Sequence, residues 1–367
     1  MQGLTDHLQH RIAGDGPISI AEYMADALGH PRLGYYMSGD PFGRDGDFTT
    51  APEISQMFGE LIGLWCAIQW RAMGEPAAVN LVELGPGRGT LMADALRAGR
   101  GAPDFLESIS LSLIEISPAL KGRQEETLLA GGDVRTAQSL RWLSDFSEVP
   151  DGPTLIIANE FLDALPVQQF LMTPDGWRER LVGIDADGGG FQFAVSETPP
   201  VDGVIPAGLN DQGADDGDVI EVRPAAMALI RDISEHLTRQ PGSALMIDYG
   251  HGETAFGDTL QAVKGHQYQD PLVEPGAADL TAHVDFGALG KTGDEAGAVV
   301  HGPVPQGHFL QALGIATRAD DLAAASPAHK QEIEAALTRL TSDEAMGRLF
   351  KVMALTSPGM APPAGFD

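Results

Sequence analysis

The chain has 367 residues, 43% of them hydrophobic, which allows one large domain with insertions or two domains and excludes a disordered polymer. A formal charge of −29 disfavours binding nucleic acid through its phosphates, which needs a basic surface, whereas a cationic substrate or basic protein partner would be attracted. One cysteine, Cys66, excludes an internal disulfide and a cysteine zinc cluster, and suits a reducing compartment. The first dozen residues lack a signal-peptide core and the Arg/Ser richness of a transit peptide. No stretch approaches membrane-spanning length, so the expectation is a cytoplasmic protein without membrane insertion.

Residues 5–13 read as a short helix. A second follows, with Ser19 as N-cap and Ile20, Tyr23, Met24 and Leu28 at helical spacing. Residues 34–53 lack periodicity and are dense in Gly, Pro, aromatic and acidic residues, as in a packed connector or a loop that covers a ligand. Residues 55–73 form a helix with Phe58, Leu61, Ile62, Trp65 and Ile68 on its buried side.

Residues 79–91 carry the main signal. Val79, Leu81, Val82 and Leu84 make a buried parallel strand, and Gly85, Gly87 and Gly89 turn it into a helix starting at Thr90. A dinucleotide turn reads G-x-G-x-x-G. Here the third glycine comes one residue early, after a strand-end Glu83, giving E-x-G-x-G-x-G. That variant is the pattern of S-adenosylmethionine-dependent methyltransferases. The chemistry agrees: the cofactor has no pyrophosphate but carries a sulfonium and an amino acid tail, so a carboxylate suits its cations and glycine N–H groups its carboxylate. The competing explanation is a tight turn with no ligand. Glu83, Gly85, Pro86, Gly87, Gly89 and Thr90 are the candidates on this turn.

A second strand, 110–117, ends at Glu115, placed to accept both hydroxyls of a ribose, with Ile116 beside it. Ser117-Pro118 opens the next helix. Residues 136–140 are a weak third strand. Residues 154–159 form a buried strand that ends in Asn159-Glu160, with Asp163 three residues on; these could face the transferred methyl, or act as turn-makers and helix caps. Residues 167–171, 178–183, 191–195 and 219–222 are expected as antiparallel strands, with a hairpin turn at 188–190. Residues 225–238 are a helix and 243–250 a buried strand that brings Tyr249 to its end. Residues 251–306 are rich in Gly, Pro, His and Asp, but His266, His283 and Asp285 lack a compact two-ligand helix motif, so no metal site is assigned. Helices at 308–313, 319–325 and 327–340 and a core strand within 347–355 complete the chain.

Several of these stretches together resemble the MidA family. They are 47–60 (DFTTAPEISQMFGE), 83–90 (ELGPGRGT), 159–166 (NEFLDALP), Asp248-Tyr249-Gly250, 279–286 (DLTAHVDF) and 347–352 (GRLFKV). The family's mitochondrial member is a respiratory complex I assembly factor. The resemblance implies a class I methyltransferase fold: an α/β, Rossmann-like sheet with helices on both faces, an N-terminal helical extension and an inserted subdomain. On that basis 1–75 is the extension with a cofactor-covering loop. Residues 76–250 and 299–357 are the core, with antiparallel additions near 167–222, and 251–298 is an insertion toward the substrate cleft. It further implies methylation of an arginine on a complex I subunit, in a bacterial cytoplasmic version. Glu160 and Asp163 are then candidates to hold the guanidinium, with Asn159 as a carbonyl acceptor and Tyr249 lining the pocket. Asp47, Phe48, Thr49 and Thr50 would close over the cofactor. A non-catalytic assembly chaperone and a small-molecule methyltransferase stay open alongside, and the motifs set neither the acceptor's identity nor the oligomeric state.

Overall fold

The computed structural model describes residues 3–38, 50–206, 209 and 213–366. The chain divides into two units. One comprises Thr49–Leu162, Leu229–Gly252 and Val284–Asp367; the other comprises Met1–Phe48, Asp163–Ala228 and Glu253–His283. The stretch 251–298 is thus shared: 253–283 lies in the second unit and helix Phe286–Glu295 in the first.

The first unit is built on a sheet of β1 (Val79–Leu84), β2 (Ile109–Ile114), β3 (Ser139–Leu143), β4 (Thr154–Asn159), β5 (Gly242–His251), β6 (Val299–Pro305) and β7 (Phe350–Thr356). Their order is β6-β7-β5-β4-β1-β2-β3. Strands β5, β4, β1, β2 and β3 run parallel, while β7 is antiparallel to both of its neighbours. The chain starts at β1 in mid-sheet, winds outward to β3, then returns to the other side of β1 with β4. That reversal makes a switch point at the carboxyl ends of β1 and β4, where a doubly wound sheet binds its ligand.

The central strands are apolar because both faces are covered. Leu155, Ile157, Leu245 and Ile247 pack in one core with Phe58, Ile62 and Trp65 of helix Gln56–Ala72. Ile156, Ala158, Ala244 and Met246 alternate with them and are also buried. The opposite face receives helix Phe286–Glu295, whose Gly290 and Gly293 lie against Met353 and Leu355 of β7. Helix Gln56–Ala72 lies close on helix Thr90–Ala98: a Cβ at Gly63 would come within 2.4 Å of the Ala95 carbonyl oxygen. The bulk of any other side chain there would push apart the helix that follows the glycine turn.

Some elements differ from expectation. Helix Phe286–Glu295 and strand β6 lie inside the stretch 251–306, rich in Gly, Pro, His and Asp, where the sequence marked no element. Glycines at 287, 290 and 293 hide the helix by lowering its propensity, although Asp285 caps it by accepting from the Ala288 N–H at 2.9 Å. In β6 the alternation breaks at Gly302-Pro303, where the register shifts between His301 and Val304. An edge strand tolerates a proline that an inner one would not. The third strand lies at Ser139–Leu143 rather than 136–140, because a 3-10 turn at Asp133–Arg135 takes up the preceding residues.

The second unit combines helices Leu4–Asp15 and Ile20–Gly29 with an antiparallel sheet. Ser19 forms a reciprocal capping box with Glu22 at the start of the second helix. The sheet contains Gln168–Thr173, Gly176–Ile184, Phe191–Val195 and Val219–Val222, and the 188–190 turn joins two of them. Leu8, Ile20, Tyr23, Met24, Val182 and Leu280 form its core.

Candidate active site

Strand β1 runs into a turn with Gly85, Gly87 and Gly89 all in left-handed backbone, at φ 60, 53 and 80. Two packing partners fix it. A Cβ at Gly85 would meet the Phe161 ring at 2.5 Å, and one at Gly89 would sit 3.3 Å from Gln124 Cα. Gly89 opens helix Thr90–Ala98 without a side-chain cap, leaving its first N–H groups to the turn. Pro86 is buried, and its carbonyl accepts from the Gly89 N–H at 2.7 Å. Thr90 Oγ1 donates to Glu53 Oε1 at 2.6 Å, and Arg88 Nη1 lies 3.9 Å from Glu53 Oε2. Glu53 therefore ties the turn to the short helix Ala51–Ile54, with Thr50 in extended backbone just before it.

Glu83 is 3% exposed, and its Oε2 finds no hydrogen-bond partner among the described residues. Burial pushes its carboxyl up to about 8. At the end of β2, Glu115 is also buried and shifted upward by desolvation, but hydrogen bonds oppose the shift. Its Oε1 accepts from the Ser117 N–H at 2.8 Å and its Oε2 from Gln124 Nε2 at 3.1 Å. Ile116, beside it, is 53% exposed, an apolar side chain left at a strand end.

The turn after β4 is built differently. Glu160 takes φ 48, a left-handed backbone unusual for a residue with a Cβ. Its N–H donates to Ile247 O at 2.9 Å. Its Oε1 accepts from the Ala51 N–H at 2.8 Å and from Asn159 Nδ2 at 3.1 Å. The fully buried Asp248 holds the next two residues: Oδ2 accepts from Phe161 N–H at 3.2 Å and Leu162 N–H at 2.9 Å, and Oδ1 from Tyr249 N–H at 2.9 Å. Tyr249 stacks edge-on against Phe350 at 5.5 Å. The Phe161 ring on Gly85 thus brings the two strand-end turns together.

Asp163 lies in the second unit. There Tyr36 OH donates to Asp279 Oδ1 at 2.7 Å, and burial together with the charges of Asp279 and Asp163 holds the Tyr36 phenol well above its ordinary range. Asp163's own carbonyl accepts from the Ala282 N–H at 3.1 Å. Asp47, Phe48 and Thr49 lie outside the described residues. Gln124, Glu53 and Asp248 were not among the sequence candidates. Asp248 carried a signal, as the polar end of a buried strand, and Glu53 sat in a quoted motif; Gln124 had none.

Residues 61–304 match a family model described as "Putative S-adenosyl-L-methionine-dependent methyltransferase". Protein arginine methyltransferase NDUFAF7, mitochondrial, of Danio rerio is 38% identical over 96% of this chain and 87% of its own length. The Homo sapiens protein of the same name is 38% identical over 95% and 82%. A Burkholderia thailandensis protein crystallised with S-adenosyl-homocysteine superposes with TM-score 0.87 at 33% identity, over 99% of this chain and 93% of that one. The chain belongs to the MidA family of S-adenosylmethionine-dependent methyltransferases.

The α/β sheet described above is that family's fold, and the residues present suit its cofactor. A buried carboxylate with an unpartnered oxygen stands under the turn, the turn has no room for added side chains at Gly85, and a bare helix N-terminus opens beside it. The expectation of a cytoplasmic protein is corrected by the relatives, which are named as mitochondrial. A reducing environment inferred from one cysteine does not single out the cytoplasm. No helix among the described residues is long and apolar enough to cross a membrane.

Proposed function

We propose that this methyltransferase is a protein-arginine N-methyltransferase whose acceptor is a basic segment of a core subunit of respiratory complex I. The observation that carries the proposal is the match along nearly the whole chain to relatives named protein arginine methyltransferases. The −29 charge supports a cationic acceptor, and the Glu160 turn supports a fixed one.

Bound adenosylmethionine supplies an electrophilic methyl on its sulfonium. The chain's own residues do the rest. Glu83, buried beneath the turn formed by Gly85, Pro86, Gly87, Gly89 and Thr90, would hold the cofactor's cationic groups. Glu115 would accept the ribose hydroxyls, with Ile116 as an apolar neighbour and Thr50 beside the turn. A guanidinium stays protonated at neutral pH, so it needs an orienting anion more than a strong base. Glu160 is that anion. The Ala51 N–H and the Asn159 amide hold one of its oxygens, so its direction is set before the acceptor arrives. Tyr249, in the same unit as Glu160, is a secondary member of the acceptor site.

The test is mass spectrometry of methylated arginines in protein from cells with and without this gene, paired with the purified Glu160→Gln variant. Glutamine keeps an acceptor oxygen for the Ala51 N–H and removes the charge. The expected result is loss of methylarginine on deletion, and a fall in transfer of about a hundredfold in the variant with adenosylmethionine affinity retained. Unchanged methylarginine in the deletion strain sinks the proposed activity; an active variant sinks the role of Glu160 alone.

A further inference from the structure

Gln124 lies on helix Pro118–Gly131 with no solvent exposure, in a chain segment that carries no motif. Its amide makes three hydrogen bonds. Nε2 donates to Gly87 O at 2.8 Å and to Glu115 Oε2 at 3.1 Å, and Oε1 accepts from Trp142 Nε1 at 2.8 Å. An indole N–H can only donate, so Trp142 fixes which end of the amide is oxygen. Both amide hydrogens are then committed, one to the glycine turn and one to the acidic strand end. The backbone agrees, since Gly89 leaves just enough space for Gln124 Cα.

We propose that Gln124 is the positioning residue that sets ribose recognition, by clamping the Glu115 carboxylate in fixed register with the glycine turn. This rests on the reading that Glu115 receives the ribose. A carboxylate has about four acceptor sites in all. Ser117 N–H occupies one on Oε1 and Gln124 one on Oε2, and the Ile116 N–H also bonds the carboxylate, so the remaining acceptor capacity is what the ribose hydroxyls would use. Without Gln124 the carboxylate can rotate about its last bond, and its distance from Gly87 is no longer held. Trp142 acts one step further out, on the edge of β3, by holding the amide's orientation.

The experiment measures, by calorimetry on the full chain, the affinity for S-adenosyl-homocysteine and for its 2′-deoxy analogue. The ratio of the two is read within each protein sample, so a partly unfolded variant still reports it. In the wild-type protein the ribose form should bind about tenfold or more tightly, the worth of a hydrogen bond to a charged group. Glu115→Gln should collapse that ratio toward one. Gln124→Met should collapse it nearly as far, and Trp142→Phe, a milder change, partway. If Glu115→Gln collapses the ratio while Gln124→Met and Trp142→Phe both keep the wild-type value, Gln124 is only a packing residue and the inference fails alone. If the wild-type protein shows no preference, or Glu115→Gln retains it, the ribose role of Glu115 fails and takes the inference with it.

Discussion

The turns after β1 and β4 both need left-handed backbone, and they obtain it in opposite ways. The β1 turn uses glycine at all three positions, where the absence of a Cβ leaves room for the Phe161 ring and the Gln124 backbone. The β4 turn places Glu160 at φ 48 and accepts the strain, about 1 kcal/mol or more. A glycine would relieve that strain but could not hold the Ala51 N–H. The difference separates two needs: the first turn must be empty of side chains, and the second must present one. What allows the second is Asp248, which binds the two N–H groups that follow and leaves the backbone little freedom to relax.

Breaking the first turn gives the largest expected effect. Gly85→Val adds side-chain bulk against Phe161 in a backbone that β-branched residues avoid, and should abolish S-adenosyl-homocysteine binding by calorimetry. Binding of wild-type strength would mean that the turn does not form the cofactor cradle. Next is the clamp on the second turn. Asp248→Ala leaves three N–H groups, those of Phe161, Leu162 and Tyr249, without their acceptor and should cost about 2–4 kcal/mol in denaturant unfolding, with methyl transfer falling further than stability. Equal stability would show that Glu160 is held by its own packing.

A third test concerns pH and the acid beneath the first turn. Glu83's carboxyl is raised from 4.5 to about 8 by burial, so the folded state keeps a proton that the unfolded chain has lost. Its contribution to stability is therefore fullest below pH 4.5 and is lost as pH rises through about 8. Unfolding free energies measured from pH 5 to 8.5 should fall along the series, and Glu83→Gln should flatten the fall. An identical slope in the variant would show that some other group titrates.

The legible parts of the molecule were those where one physical demand acts on consecutive residues. Buried strands announce themselves as apolar runs, and the glycine turn as spacing, so β1, β2, β4 and β5 and the hairpin at 188–190 were found where they lie. Long-range partnerships left no such trace. Gln124 looks like any helical glutamine until the fold sets it 37 positions from Gly87, and Glu53 meets Thr90 across the same separation. Strand β6 was hidden for a different reason: an edge position tolerates Gly302-Pro303, and that tolerance erases the pattern. Glu160 was picked out for its charge, yet its unusual backbone is a tertiary effect imposed by Asp248 and Ile247.

Cys66 is buried, and loss of solvent around it keeps its thiol protonated well above neutral pH. The natural chain is therefore already quiet toward maleimide dyes. An engineered cysteine at Tyr268, 76% exposed in one unit, and another at Leu129, 43% exposed in the other, would take a donor and an acceptor fluorophore without any background substitution. Energy transfer between them would then follow the separation of the two units in solution as donor cofactor and acceptor peptide are added.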